Sequence, residues 1–227
     1  CIDNIIKYKN KKFLITDTAG LARKSKSRSK LSSYSMLNTM NSIKQTDLSL
    51  LVINGQEMIS KQDKTVLDFL RKSNKPHILV VNKIDLLSKK EIDDLIIKVD
   101  YFTNISSNAS SIFISALERK NISNLKRIIF TVSTKIGKRY KSSLLTKILN
   151  DATDAHPLPL VNKRRIKLKF AQQAKSKDLT IIIHGNKLTK IPASYNKYLI
   201  NYFMEKLSIK GLPIKLVYGE EKNPFIK

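Results

Sequence analysis

The sequence predicts an α/β protein with a doubly wound, mostly parallel sheet, followed by a smaller α+β unit. Short apolar segments alternate with segments of helical spacing over residues 5–136. The segments at 48–53 and 78–81 are almost continuously apolar, which is typical of parallel strands covered on both faces. After residue 136 the order changes to helix, strand, strand, helix, strand. We therefore expect two domains, 1–136 and 137–227.

The first domain opens with two strands at 5–8 and 12–17, and the polar turn Lys9-Asn10-Lys11 between them favours a hairpin. Apolar residues at helical intervals predict helices at 33–45, 61–73, 91–103 and 121–135. Strands are predicted at 48–53, 78–81 and 111–115. Ligands of such sheets bind beyond the carboxyl ends of the strands, so we expect the functional residues in the loops that follow them.

The second domain is predicted to begin with a helix that Ser142 or Ser143 caps and that ends before His156. Alternating residues predict strands at 165–172 and 179–184. A long helix at 194–207 and a final strand at 214–218 complete the α+β unit.

The chain is strongly basic, with 43 Lys plus Arg against 18 Asp plus Glu and a net charge of +25 over 227 residues. This charge favours a polyanionic partner such as nucleic acid, although a composition rich in Lys, Ile and Asn is an alternative cause. The apolar runs fall far short of the ~20 residues of a membrane span. The single cysteine, Cys1, excludes an internal disulfide, and no secretion signal opens the chain, so we expect a cytoplasmic protein.

Three predicted strands are followed by polar loops whose chemistry suits a guanine nucleotide. The loops are Asp17-Thr18-Ala19-Gly20, Asn82-Lys83-Ile84-Asp85 and Ser115-Ala116-Leu117. An acidic residue such as Asp17 at the end of a strand can hold the outer shell of Mg²⁺. Because Gly20 has no side chain, a backbone N–H beside it can approach a γ-phosphate.

The second and third loops suit the guanine base. Asp85 can accept hydrogen bonds from the two N–H donors on one edge of guanine, an arrangement that adenine does not present. Asn82 can tie the loops together, and the stem of Lys83 can cover the ring face. Ser115 and Ala116 can offer backbone N–H groups to the guanine oxygen. Each motif is weak alone, but the three in this order indicate a guanine-nucleotide-binding fold.

These loops carry a resemblance to a known family. Further stretches that match it are Asp17-Thr18-Ala19-Gly20-Leu21-Ala22-Arg23-Lys24, Tyr34-Ser35-Met36-Leu37, Gln62-Asp63, Ala155-His156-Pro157 and Lys222-Asn223-Pro224-Phe225. Together they resemble the carboxyl-terminal half of the Der (EngA) family of bacterial ribosome-assembly GTPases, from Cys1 to about Phe225. The resemblance implies a second G domain of the P-loop type, then a KH-like domain. It also implies GTP hydrolysis and association with the large ribosomal subunit and its rRNA.

The sequence departs from the family at the phosphate site. The loop Gly-x-x-x-x-Gly-Lys-Ser/Thr does not occur in it, and we expect that loop to lie before Cys1. We therefore expect a G domain truncated at its amino end that binds guanine poorly and hydrolyses GTP negligibly by itself. Leu21 stands where Ras-like enzymes use a water-positioning Gln, so no catalytic residue is assigned. The implied cofactors are GTP or GDP and Mg²⁺, with potassium by family resemblance.

Two basic groups are candidates for contact with RNA. Arg23 and Lys24 belong to a polar segment, residues 21–34, that we expect to switch between nucleotide states. Arg165, Lys167 and Lys169 alternate on one predicted strand and would share a face, although a solvated edge strand is the alternative interpretation.

The glycine loop that clamps nucleic-acid backbone in KH modules is defective in this sequence. The candidate loop is His184-Gly185-Asn186-Lys187, and Leu188 follows where the family of KH loops has a second glycine. We therefore expect no specific single-strand recognition by that route, and no sequence-specific binding of DNA. Two alternatives stay open: an Era-like GTPase with a KH domain, and a non-enzymatic RNA- or ribosome-binding module on a G-domain scaffold.

Overall fold

The computed structural model describes residues 2–17, 30–57, 59–106, 110–158, 160–161, 164–176, 178–209 and 211–220. The chain divides into two units, Cys1–Ser133 and Thr134–Lys227. None of the helices within the described ranges is long and apolar enough to cross a bilayer.

The strands of the first unit form two sheets. Strands β1 (Ile2–Tyr8) and β2 (Lys11–Asp17) pair in antiparallel register, and the turn between them holds Lys9 at a positive φ of 52°. Strands β3 (Ser49–Asn54), β4 (His77–Asn82) and β5 (Ser110–Phe113) form a parallel sheet in the order β3-β4-β5. The predicted hairpin and the predicted parallel strands are thus both present.

Among the described residues, four α-helices belong to or begin in this unit: α1 (Lys30–Gln45), α2 (Lys61–Lys72), α3 (Lys89–Ser106) and α4 (Ile122–Lys135). A capping box starts α2, because Ser60 Oγ accepts from the Asp63 N–H at 3.1 Å and the Asp63 carboxylate accepts from the Ser60 N–H at 2.9 Å. Alternation of helices and buried parallel strands confirms the predicted α/β class.

The core of the first unit lies on the central strand β4. All residues from His77 to Val81 are buried, so both faces of this strand are covered, as its uninterrupted apolar sequence predicts. On one face Leu79 and Val81 pack with Leu95 and Val99 of α3. His77 is 2% exposed, and this burial lowers the pKa of its imidazole.

Within the described residues, the second unit has a three-stranded sheet, a separate two-stranded sheet and helices of its own. Its elements are α5 (Ser142–Ala155), β6 (Leu160–Val161), β7 (Arg164–Arg165), β8 (Lys167–Gln173), β9 (Thr180–Asn186), α6 (Ala193–Lys206) and β10 (Lys215–Glu220). Strand β9 is central, antiparallel to β8 and parallel to β10. The predicted cap of α5 is wrong: the N-cap is Lys141, and Ser142 is already helical.

Helix α5 covers the outer edge of β8 through one hydroxyl group. Thr146 Oγ1 donates to the Ala171 carbonyl at 3.2 Å and accepts from the Ala171 N–H at 3.1 Å. Helix α6 is tied to α5 because the Tyr195 hydroxyl donates to the His156 carbonyl at 2.7 Å and the Tyr198 hydroxyl donates to the Ala152 carbonyl at 2.8 Å. Burial, helped by the neighbouring Tyr198, raises the pKa of Tyr195 to about 12.

Candidate functional site

The loops after β4 and β5 are joined by the side chain of Asn82. Asn82 Oδ1 accepts a hydrogen bond from the Lys83 N–H at 2.8 Å and another from the Ala116 N–H at 3.0 Å. Because β4 and β5 are parallel neighbours, their carboxyl ends lie at the same edge of the sheet, and one amide side chain reaches both loops. Asn82 therefore occupies the position that its predicted tying role requires.

The backbone of the neighbouring strands reinforces this edge. The Ile114 N–H donates to the Val81 carbonyl at 2.8 Å, and the Ile84 N–H donates to the Ile114 carbonyl at 3.3 Å. On the other side of β4, the Gly55 N–H donates to the Asn82 carbonyl at 2.7 Å. The three loops that follow β3, β4 and β5 are thus linked by main-chain hydrogen bonds.

Gly55 is a residue whose role sequence reasoning missed. A Cβ at this position would lie 3.1 Å from the Asn82 carbonyl oxygen and 3.1 Å from Leu87 Cδ1, closer than side-chain carbons normally approach. The preceding Asn54 closes the turn, since its Oδ1 accepts from the Gln56 N–H at 3.1 Å. The Asn54-Gly55 sequence therefore allows the loop after β3 to contact the end of β4, and the signal in the sequence was this turn-forming pair.

The loop from Lys83 to Asp85 is held in a strained conformation. Lys83 adopts left-handed dihedral angles, φ 67° and ψ 38°, and its side chain is exposed. Ile84 is buried below it, and the 3₁₀ turn Ile84–Leu86 follows. Left-handed backbone at a residue with a long side chain is unfavourable by about 1 kcal/mol and persists where the surroundings fix it.

Asp85 carries the least satisfied polar atom of this loop. Within the part of the chain that the structure describes, its Oδ1 is buried and has no hydrogen-bond partner. A buried acceptor without a donor costs about 1–3 kcal/mol, so a ligand that brings N–H donors would relieve that cost. The side chain as a whole is only half-buried, which keeps the other oxygen accessible.

The loop after β5 is compact. Ser115 is fully buried; its N–H donates to the Lys120 carbonyl at 3.2 Å, and its Oγ accepts from the Glu118 N–H at 3.1 Å. Ala116 is exposed, and Leu117 is 86% exposed. The N–H groups of Ser115 and Ala116 therefore both donate within the protein, and a guanine oxygen would have to share or replace one of these hydrogen bonds.

Helix α3 begins directly after the second loop. Ser88 and Glu91 cap it reciprocally: the Ser88 N–H and Oγ donate to Glu91 Oε2 at 2.8 and 2.7 Å, and the Glu91 N–H donates to Ser88 Oγ at 3.3 Å. These hydrogen bonds, the one from the side chain first, lower the pKa of Glu91. The cap fixes where the loop ends and the helix starts.

The first predicted loop is described only at its beginning. Asp17 is the last residue of β2, is exposed, and stands opposite Ile2 in the hairpin register. The other candidates of this segment are Thr18, Ala19, Gly20, Leu21, Arg23 and Lys24, and they lie outside the described residues. A cluster of three or more His, Cys, Asp or Glu side chains suited to a metal ion does not occur among the residues that are described.

The predicted basic strand of the second unit is interrupted. Arg165 ends β7, whereas Lys167 and Lys169 belong to β8, and buried Ile166 separates the two strands. The register between β8 and β9 shifts between Leu168 and Phe170, which makes Lys169 an extra, bulged residue. Lys167 and Lys169 are both exposed. The expectation of one regular strand from 165 to 172 is thus wrong at two points.

The segment His184-Gly185-Asn186 is part of β9 and not a loop, because the strand extends to Asn186. Gly185 is opposite Leu168, and a Cβ there would lie only 2.1 Å from the Lys167 carbonyl oxygen. The glycine is therefore required by the close approach of β8 to β9. Lys187, with φ 62°, and a 3₁₀ turn follow the strand.

Two family models match consecutive parts of this chain. The model described as the elongation factor Tu GTP binding domain matches residues 32–135. The model described as the KH-domain-like region of EngA bacterial GTPase enzymes, C-terminal, matches residues 139–218. The order of the two matches is the order of the two units of the structure.

Curated relatives extend over nearly the whole chain. GTPase Der of Buchnera aphidicola subsp. Schizaphis graminum is 38% identical over 227 positions, which cover 97% of this chain and 49% of that protein. GTPase Der of Aeromonas salmonicida is 37% identical, covering 94% and 43% respectively. The chain is a Der (EngA) relative and fits the carboxyl-terminal part of that family. It spans about half the length of these relatives.

Solved structures agree with the fold of a G domain. The elongation factor SelB from Methanococcus maripaludis, in complex with the GTP analogue GppNHp, is 20% identical with a TM-score of 0.51, covering 62% of this chain and 30% of SelB. The complex of SsGBP with GDP is 22% identical with a TM-score of 0.50, covering 59% and 42%. At this level of identity the likeness to these solved structures concerns the fold alone. The predicted resemblance to Der is confirmed by the curated relatives.

Proposed function

We propose that this chain is the guanine-binding and RNA-contacting part of a cytoplasmic GTPase that acts in assembly of the large ribosomal subunit. The observation that carries the proposal is the buried, unpartnered Asp85 Oδ1 in a loop that Asn82 ties to Ala116. The Der relatives, which are GTPases by name, support the same reaction class.

The base specificity follows from hydrogen-bond chemistry. Guanine presents two adjacent N–H donors on one edge, and a carboxylate is acceptor-only, so both donors can bind Asp85. Adenine offers no such pair and would leave the buried oxygen unsatisfied. At about 1–3 kcal/mol for an unpaired buried group, we expect roughly 5- to 150-fold preference for guanine.

The described residues supply part of a nucleotide site. Asp17 fits a role in the outer shell of Mg²⁺, because a carboxylate oxygen is a ligand suited to that ion or its bound water and this side chain is exposed. When bound, the ion would neutralise charge on the phosphates. Mg²⁺ and potassium are proposed cofactors by family resemblance, and no side chain of this chain is proposed as catalytic.

The nucleotide proposal is tested by changing the base preference. Asp85→Asn replaces one acceptor oxygen by an amide donor, which matches the adjacent N–H and C=O groups of xanthine. Calorimetry and amide shifts with GDP, ADP and xanthosine diphosphate should show loss of GDP binding and gain of the xanthine nucleotide. Asp93→Asn on the exposed part of α3 is the matched control. Unchanged GDP binding by Asp85→Asn contradicts the proposal.

Hydrolysis requires a separate test because the sequence lacks a Gly-x-x-x-x-Gly-Lys-Ser/Thr motif. We expect no GTP turnover by the chain alone and turnover when residues carrying that motif precede it. Rates are measured with potassium and with sodium, and a higher rate in potassium is expected. Turnover that is independent of Asp85 and of the added motif would contradict the GTPase assignment.

The ribosomal partner is proposed from the basic residues, with Lys167 and Lys169 exposed on β8, Arg165 on β7, and Arg23 with Lys24 in the first unit. Lys167→Glu combined with Lys169→Glu should weaken sedimentation with purified large subunits. The slope of log affinity against log salt should fall by about 0.9 for each phosphate that these lysines no longer neutralise. Lys197→Glu combined with Lys206→Glu, both exposed on α6, is the control with the same change in net charge. Equally weak binding by the two variants would show that net charge alone matters.

A further inference from the structure

In the described part of the second unit, helices pack on one face of the three-stranded sheet, and the other face carries side chains that are half-buried or exposed. Successive side chains along a strand point to opposite faces of the sheet. Tyr218 faces the helices, because its hydroxyl donates to Asn196 of α6 at 2.7 Å. Its cross-strand neighbours Ile183 and Ala171 therefore point to the same face. The adjacent positions, Phe170 and His184 among them, point to the opposite face. We call this opposite surface the open face.

The open face carries a pair of stacked rings. Phe170 and His184 are direct cross-strand neighbours, their ring centroids are 4.3 Å apart, and their planes differ by 9°. The Gln172 side-chain nitrogen lies 3.0 Å from His184 Nε2 and fixes the orientation of the imidazole. Both rings are only half-buried, so a flat aromatic surface remains accessible. Such rings are the surfaces on which nucleic-acid bases stack.

Gly219 leaves space beside the second side of the imidazole. It is opposite His184 on β10, and a Cβ there would lie 3.3 Å from His184 Cε1 and Nδ1 and 3.6 Å from Ile182 Cγ2. A side chain at this position would therefore contact the imidazole. With glycine, a slot with His184 as its wall and Ile182 beside it lies on the open face, where a planar ring can stack on the imidazole.

Lysines lie at both ends of the open face. Lys167 is opposite Asn186, one row beyond the ring pair, and Lys215 is opposite Thr180 at the other end; both are exposed. Six residues of strand separate the two rows, about 20 Å at ~3.3 Å per residue. That span matches the two or three bases that sheet-based RNA modules stack, and the chain carries a net charge of +25.

We propose that the open face binds single-stranded RNA, with one base stacked on His184 in the slot above Gly219 and phosphates near Lys167 and Lys215. The proposal rests on the RNA contact in the proposed function and not on nucleotide binding. In this proposal the open face of the sheet makes the RNA contact that the glycine loop makes in KH modules. Recognition by stacking tolerates any base, so the site would select single strands over duplexes.

The test uses the whole 227-residue chain and a fluorescein-labelled eight-nucleotide uridine RNA, followed by anisotropy. Gly219→Val fills the slot without removing an existing contact, and a strand position on an exposed face tolerates valine. We expect binding about 5- to 150-fold weaker, the loss that removal of one stacked base produces, with an unchanged thermal unfolding midpoint. His184→Phe, which keeps a ring in place, should retain binding, whereas His184→Ala should not.

Charge and strandedness provide the remaining readouts. Lys167→Gln and Lys215→Gln should each reduce the salt slope by about 0.7, and Lys197→Gln on α6 should not. Wild-type affinity of Gly219→Val, or equal affinity for the single strand and an eight-base-pair duplex, would overturn the inference. If the wild-type chain binds the oligonucleotide but does not sediment with large subunits, the proposed function is contradicted and the stacking site remains supported.

Discussion

Replacement of Gly185 by alanine tests whether this glycine is required by strand packing. The new Cβ would lie 2.1 Å from the Lys167 carbonyl oxygen and 3.1 Å from Leu168 Cα, and both of these atoms are main chain. A Cβ essentially never lies within 3.0 Å of another heavy atom, so β8 and β9 must separate by at least 0.9 Å at this point. Main-chain atoms cannot relieve this clash by a change of rotamer, as a side chain can. The hydrogen bonds between the two strands would therefore be distorted.

The expected loss of stability is about 3 kcal/mol, the upper end of the range for overpacked sites, because rigid backbone is displaced. Two other glycines of the same unit are matched controls. Gly219→Ala meets only side chains, His184 at 3.3 Å and Ile182 at 3.6 Å, which can shift by a few tenths of an ångström, so its loss should be well below that of Gly185→Ala. Gly137→Ala meets nothing within 4 Å but has a φ of 75°, so it should lose about 1 kcal/mol from backbone strain.

Urea unfolding followed by tyrosine fluorescence is a suitable assay, with hydrogen exchange measured by mass spectrometry to separate the units. Five of the eight tyrosines belong to the second unit, at positions 140, 195, 198, 202 and 218, so most of the fluorescence reports on that unit. A loss for Gly185→Ala no larger than that for Gly137→Ala would refute the packing explanation. Gly185 would then be explained by the close approach of a ligand backbone and not by strand packing.

Three further predictions concern the first unit. Asn82→Ala removes two accepted hydrogen bonds, so the Ala116 amide should exchange about tenfold faster or more, and unchanged protection would contradict the tie between loops. Ser60→Ala breaks the capping box and should lower the free energy of unfolding by about 1 kcal/mol, seen as a lower urea midpoint. Because burial lowers the pKa of His77, the unfolded chain takes up its proton first, and stability should fall below pH 6.5 by up to about 1.4 kcal/mol per pH unit. His77→Phe should flatten this acid dependence, and an equally steep profile in that variant would exclude His77 as its cause.

The sequence predicted the elements whose periodicity is unambiguous. Strand β4 was recognised because both of its faces are apolar, and α2 because apolar residues recur at helical spacing. Asn82 could be placed at the end of a strand beside Ala116 because parallel strands end at one edge. The residues that form the candidate site were therefore available from the sequence, but their hydrogen bonds were not.

Other features depend on contacts between segments that sequence reasoning does not see. Gly185 and Asn186 are turn formers by propensity, yet pairing with β8 holds them in a strand. The bulge at Lys169 arises from the register with β9, which no local pattern encodes. In the same way, the Ser115 N–H was assigned to a ligand, whereas the tight loop uses it for the Lys120 carbonyl.

The double hydrogen bond of Thr146 has a consequence for how the protein behaves at high concentration. An edge strand exposes N–H and C=O groups on which a second molecule can add a strand. At Ala171 one hydroxyl occupies both groups, so α5 blocks β8 at its middle. Thr146→Val keeps the shape of the side chain but leaves the N–H and C=O groups of Ala171 without these partners, which should weaken the attachment of α5 to the edge of β8. This single hydroxyl thus helps to hold α5 over the edge of β8, where a second molecule would otherwise find unpaired N–H and C=O groups.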